Sequence, residues 1–478
     1  MYKASLYING QEIEKTDAPR IEVINPATEE VLGSVPSAGP AEVAAAVAAA
    51  QSGFNAWKRV GPWERSTVMR RIASLIRERA EDIATTLTLE IGKPIGEARG
   101  EVMVSAEYFD WCADEARRIF GHSRDGRTPG SRFDISYEPV GIVLALTAWN
   151  YPVILPARKL AMALAAGCAV IVRPAEESPA CVAALVRCCQ DGGLPPGTVN
   201  LLFGSPEAVV EPLMANPAIR KISFTGSTRV GRLLIRQSAE TVKRVTMELG
   251  GHAPFLVLED ADIDNAVAMA TLGKYRNAGQ VCSAPSRFFV HQSVASAFTE
   301  RMAASAKALR VGNGLEQSTQ MGPLATARQR DRAERLVADA RAKGANVVCG
   351  GGRPKGLDRG YFYEPTILNN LPDDAAILAE EPFTPVAAIV PVASTEEAIR
   401  RANALEFGLA AYVFSRSGAA IDAVTAELEA GVIGVNNVAV AVAEAPFGGV
   451  KQSGFGREGG QESLHEYLNP KFVHKMRA

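Results

Sequence analysis

The sequence predicts an α/β protein built from two doubly wound units, and two patterns carry that reading. Between residues 141 and 237 short apolar runs alternate with helical stretches, the rhythm of a parallel sheet crossed by helices. A second alternating series starts near Pro254 and continues to about Ala430. A small β extension completes the fold class. Residues 132–138 alternate in period two, and 467–474 do so more weakly.

In the first series, residues 142–146, 169–172, 199–203 and 221–224 read as strands. Residues 156–166, 179–190, 207–215 and 227–237 read as the helices between them. The second series places strands at 254–257, 288–290, 386–392 and 411–414, with helices at 262–274, 294–309 and 325–343. Upstream, the alanine-rich run 41–50 reads as a surface helix opened by Pro40 at its first turn. The two period-two stretches read as exposed strands that need a partner edge, supplied by a second subunit.

Composition narrows the function classes. The chain has 478 residues, enough for two or three packed domains. With 47% hydrophobic and 22% charged residues it has the balance of a soluble enzyme. A net charge of -2 offers nothing to nucleic acid or an anionic membrane, and no apolar run is long enough to span a bilayer. No signal peptide is expected from Met1-Tyr-Lys-Ala-Ser, which makes the cytoplasm the natural compartment. Seven cysteines, an odd number, argue against a disulfide framework. Six of them sit in apolar runs as buried small hydrophobes. Five histidines, none near a cysteine cluster, make a metal site unexpected.

Ligands of such sheets lie at the carboxyl ends of the strands, so the turns there are where chemistry is sought. Phe224-Thr-Gly226-Ser227-Thr-Arg-Val-Gly231 opens a helix whose amides could hold an anion, but it fits neither the G-x-G-x-x-G fingerprint nor the P-loop. A plain strand-to-helix turn suits it equally. Arg173 and Glu176 end another strand and suit either a ribose grip or a solvated helix start. Asn150, in Trp149-Asn150-Tyr151-Pro152, could donate to an oxyanion or simply hold a turn. Cys282 follows Gly279-Gln280 and precedes a polar serine, unlike the other cysteines. Glu248, in Met247-Glu248-Leu249-Gly-Gly251, is either a base or a strand-end carboxylate. A cysteine nucleophile with a base for water points to a covalent acyl-enzyme.

Together these residues resemble the aldehyde dehydrogenase superfamily over essentially the whole chain. The motifs run from Tyr7-Ile-Asn-Gly10 and Asn25-Pro26 through those above to Glu381-Pro-Phe383, Pro446-Phe447-Gly-Gly449 and Lys451-Gln-Ser-Gly454. The resemblance implies that Cys282 attacks an aldehyde, Asn150 and the Cys282 amide hold the oxyanion, and Glu248 activates water. It implies NAD, with NADP as the alternative, held by Trp149, Arg173, Glu176, Gly226, Ser227, Gly231, Leu249, Glu381 and Phe383. It implies cofactor binding in 1–124 and 142–250, catalysis in 251–445, and oligomerisation strands and tail in 125–141 and 446–478, in a homodimer or homotetramer.

Two departures stand out. The family usually has lysine at Arg173, and arginine is larger, planar and bidentate. It commonly has glycine at Thr384.

The chain looks closest to the succinate-semialdehyde and 2-oxoglutarate-semialdehyde (2,5-dioxovalerate) branches. There, arginines matching Arg158 and Arg276 hold the distal carboxylate of a small anionic aldehyde, with Tyr151 and Phe447 in the same pocket. Ala284 excludes the second cysteine that often follows the nucleophile in succinate-semialdehyde enzymes. The alternatives are a broad oxidiser of neutral aldehydes and a catalytically retired binding protein. Glu248 disfavours a coenzyme-A-acylating enzyme.

Overall fold

The computed structural model describes Tyr2 and residues 4–476. Its first sheet has eight strands, in the order Gln11–Ile13, Leu6–Ile8, Val199–Leu201, Ala169–Pro174, Ile142–Thr147, Ile219–Thr225, Arg244–Glu248 and Gly454–Phe455. The five strands from Val199–Leu201 to Arg244–Glu248 are mutually parallel. Ile142–Thr147 lies at the middle and is buried along its whole length, as a parallel strand covered on both faces must be.

The second sheet has seven strands, in the order Asn346–Cys349, Thr366–Asn369, Val386–Val392, Pro285–His291, Ala253–Val257, Ala410–Phe414 and Val432–Val435. Each sheet has its own apolar core. The doubly wound α/β class is therefore what the chain adopts. The tail also ties the halves together: Val450–Lys451 pairs with Phe407–Gly408, and Gly454–Phe455 joins Arg244–Glu248.

Two readings need correction. Ser131–Pro139 and Leu468–Met476 do not wait for a second subunit to supply an edge. They pair antiparallel with each other over their full length, Ile135 opposite Phe472, and His122–Asp125 adds a third strand. Their matched period-two patterns satisfy one another within the chain.

The expected helix 207–215 is broken in two. Pro206–Val210 forms a π-helical turn, and Glu211–Ala215 continues as α-helix. Pro212 lacks an N–H and its ring excludes the carbonyl four residues back, so the turn widens.

Candidate active site

A cavity of about 1260 Å³ lies between the carboxyl ends of the first sheet and the amino ends of the second sheet's central strands. Fifteen of the sixteen site residues expected from sequence line it, from Arg173 and Glu176 at one end to Arg158, Arg276 and Cys282 at the other. Gly231 does not. It stands behind the wall, where a Cβ would meet the Leu249 side chain at 2.4 Å, so its smallness lets the helix pack on Leu249.

The cysteine turn is unusual in its backbone. Asn277 (φ 48°) and Ala278 (φ 52°) are left-handed, and Gly279 follows at φ 74°. Left-handed geometry at non-glycine residues is held only where surroundings over-determine it. Here the Gln280 side chain does so, donating to the Asn277 carbonyl at 2.9 Å and accepting from the Ala325 amide at 2.9 Å. Glu97 accepts from the Asn277 amide at 2.9 Å. Gly279 cannot be larger, because a Cβ would lie 2.2 Å from the Thr384 carbonyl oxygen. Thr384 itself is buried, its hydroxyl without a partner.

Cys282 is half-buried and free. Burial pushes its thiol up to about 12, the charge of Glu248 adds to this, and Arg158 pulls it back. Glu248 is buried, and neither carboxylate oxygen has a hydrogen-bond partner. Burial first, then the charge of Glu458, holds it well above the ordinary carboxylate range. Gly448 makes room for it: a Cβ there would lie 2.6 Å from Glu248 Oε1.

Behind Glu248, Glu458 ion-pairs with the buried Lys159, which also donates to Thr225 Oγ1 at 2.8 Å. Neither Lys159 nor Glu458 was singled out from the sequence. Lys159 directly follows Arg158 in a helix that is otherwise apolar and buried along its whole length, so a second charge there is a visible signal. Asn150 donates from Nδ2 to the Gln280 carbonyl at 3.0 Å, which fixes its amide beside the cysteine turn.

Arg158 is 5% exposed and lies between two rings, 4.9 Å from Tyr108 and 5.1 Å from Phe447. Arg276 lies 6.0 Å from the Tyr151 ring. The Nε of each is buried without a partner, and no carboxylate among the described residues pairs with either.

At the far end, Arg173 donates to Glu176 at 2.7 Å and to the Gly204 carbonyl at 2.6 Å. Glu381 accepts from the Gly251 amide at 3.0 Å, and burial pushes it up to about 7. Trp149 and Phe383 meet edge to face at 5.6 Å, with Phe383 at φ 52°. Ser227 caps the helix Thr228–Ala239, accepting from the Val230 amide at 3.4 Å.

A strand-end cavity holding a cysteine, a carboxylate and an amide defines an α/β enzyme with a candidate covalent site. Comparison with known proteins makes the class specific. The model of the aldehyde dehydrogenase family matches residues 13–473, and the chain belongs to that family, as an oxidoreductase. It is 40% identical to the NADP(+) succinate-semialdehyde dehydrogenase of Escherichia coli K12, over 99% of this chain and 98% of that protein. It is 42% identical to the 3-sulfolactaldehyde dehydrogenase of Pseudomonas putida, over 99% of this chain and 97% of that protein. The crystal structure of succinate-semialdehyde dehydrogenase from Burkholderia pseudomallei superposes with a TM-score of 0.97, at 42% identity, covering 99% of this chain and 98% of that one.

Proposed function

We propose that the chain oxidises a short aldehyde carrying an anion at its far end, first of all the dicarboxylic semialdehydes of four and five carbons, succinate semialdehyde and 2-oxoglutarate semialdehyde. One observation carries this: two guanidinium groups, Arg158 and Arg276, line the cavity of Cys282, and among the described residues neither forms an ion pair with a carboxylate. A buried unpaired cation is costly, and a substrate carboxylate relieves the cost with charge-assisted hydrogen bonds.

Cys282 as thiolate attacks the aldehyde carbon, forming a carbon–sulfur bond and an oxyanion. The remaining Asn150 N–H and the Cys282 amide are the donors to that oxygen. Bound NAD supplies the acceptor for the hydride that leaves the carbon, which converts the thiohemiacetal to a thioester. Glu248 then takes a proton from water, whose oxygen attacks the thioester. The carbon–sulfur bond breaks, the acid departs, and the proton held by Glu248 returns to the sulfur to restore the thiol.

The cavity fits the dinucleotide. Among the described residues Glu381 and Glu176 each have one oxygen engaged, leaving the other to accept a ribose hydroxyl. Trp149, Gly226, Ser227, Leu249 and Phe383 line the path between. Arg173 is already committed to Glu176 and Gly204, and the negative charge of Glu176 disfavours a 2′-phosphate; both favour NAD. Residues 1–124 and 142–250 take the cofactor in this reading, and 251–445 the aldehyde. The strands in 125–141 and 446–478 join subunits as a dimer or tetramer, since Phe472 is 60% exposed beside a free strand edge. Six buried thiols and one in the active site suit the reducing cytoplasm.

A second reading replaces the carboxylate by a sulfonate, favoured by the 42% identity to a 3-sulfolactaldehyde dehydrogenase. A matrix of initial rates tests both: NAD or NADP against succinate semialdehyde, 2-oxoglutarate semialdehyde, 3-sulfolactaldehyde and propanal. Comparable kcat/KM for propanal would remove the anionic-substrate reading.

A further inference from the structure

Three parts of the site meet at one buried ion pair that the chemistry above does not use. Lys93 follows Gly92, whose φ of 80° ends the helix Ala80–Ile91, and precedes Pro94, which caps the helix Ile95–Ala116. The segment is therefore pinned between two helix ends. Two glycines of the second half close on it. A Cβ on Gly314 would lie 2.6 Å from the Lys93 carbonyl oxygen, and one on Gly322 would lie 1.9 Å from that of Gly92.

The ammonium has three N–H donors and three destinations. One is the carboxylate of Glu101, ion-paired with Lys93 at 0% and 1% side-chain exposure. The second is the Asn150 carbonyl oxygen, at 3.0 Å. The third is the face of the Tyr151 ring, 3.6 Å from its centroid. Glu101 uses its other oxygen to accept from the amides of Val153 and Ile154, at 2.8 and 3.1 Å, where the helix bearing Arg158 begins. The Asn150 carbonyl also accepts from Asn277 Nδ2 at 3.0 Å, which brings in the cysteine turn.

We propose that Lys93, together with Glu101, is a positioning residue for the reaction. It locks the Asn150 backbone against the cysteine turn, so that the free N–H of Asn150 points where the oxyanion forms. The proposal rests on Asn150 being the oxyanion donor. Removing either member strands a buried charge and frees the Asn150 carbonyl, and a misplacement of about 1 Å costs on the order of 100-fold in rate.

The test is a double-mutant cycle on the full chain with succinate semialdehyde, following kcat and KM separately. Lys93→Met is expected to lower kcat about 10- to 100-fold with KM changed less than about threefold. Combined with Asn150→Ala it is expected to be no slower than Asn150→Ala alone, because both remove one interaction. Glu101→Gln keeps an oxygen for residues 153 and 154, and runs the same cycle with the same expectation should Lys93→Met not fold. Wild-type kcat in these variants, or losses that multiply with Asn150→Ala, would overturn the positioning role alone. Wild-type kcat in Asn150→Ala would overturn the donor reading, and the Lys93 proposal with it.

Discussion

Arg158 lies 4.9 Å from the centroid of the Tyr108 ring, with no carboxylate among the described residues in an ion pair with it. Tyr108 is itself anchored, donating from its hydroxyl to the Val442 carbonyl at 3.1 Å. Ring faces partly compensate a desolvated cation without using its N–H edge. That edge, and the buried Nε of Arg276, are the groups an anionic aldehyde would meet.

Removing either arginine should therefore separate charged from neutral substrates. Arg158→Leu and Arg276→Leu are each expected to lower kcat/KM for succinate semialdehyde by about 10- to 150-fold, the worth of a hydrogen bond between charged groups. Propanal should be oxidised at an unchanged or higher kcat/KM. Equal losses on both substrates would mean that the arginines support the fold rather than the substrate.

Cofactor choice should turn on Glu176. Glu176→Gln removes the charge facing a 2′-phosphate and releases the Arg173 guanidinium from its 2.7 Å partner. The kcat/KM with NADP is expected to rise about tenfold relative to NAD, roughly one charge-assisted contact at a partly exposed site. Initial rates with each cofactor give the ratio, and an unchanged ratio would place the discrimination elsewhere.

Glu248 should carry a stability cost as well as a chemical role. Burial and the Glu458 charge raise its folded pKa above the unfolded value. The folded state then binds more protons than the unfolded one between those two values, so stability falls as pH rises through that window. Glu248→Gln is expected to raise the melting temperature at pH 8 and to leave it nearly unchanged at pH 4. The same variant should stall after one turnover, with kcat down about 10²–10⁴-fold as for a lost general base. A melting gain independent of pH would show that the carboxylate is not the source.

The thiol should titrate late. With Cys282 pushed up to about 12, the thiolate fraction grows tenfold per pH unit below that value. Iodoacetamide labelling of Cys282 is expected to accelerate through pH 7 to 9 without a plateau. Levelling below pH 8 would mean that the thiolate is already formed.

What was legible in the sequence was what local pattern encodes. The strand 386–392 is an unbroken apolar run, so it was readable to the residue. The site turns sit at strand ends, and most of their residues share one cavity. The π-helical turn was hidden because a single proline at 212 decides it against an otherwise helical run. The Ser131–Pro139 and Leu468–Met476 pair, the Lys159–Glu458 pair across 299 residues, and Lys93 at the Asn150 carbonyl across 57 join distant segments. Periodicity carries no trace of such partners. A lysine between Gly92 and Pro94, like Lys159 in its apolar helix, is a local oddity that only the fold gives a destination.

In the proposed reaction Arg158 and Arg276 together select an anionic aldehyde. The most direct measurement is the wild-type ratio of kcat/KM for succinate semialdehyde to that for butanal, a neutral aldehyde of the same chain length. Two charge-assisted contacts of at least about 1.5 kcal/mol each give an expected ratio above about 100. A ratio near one would contradict the account.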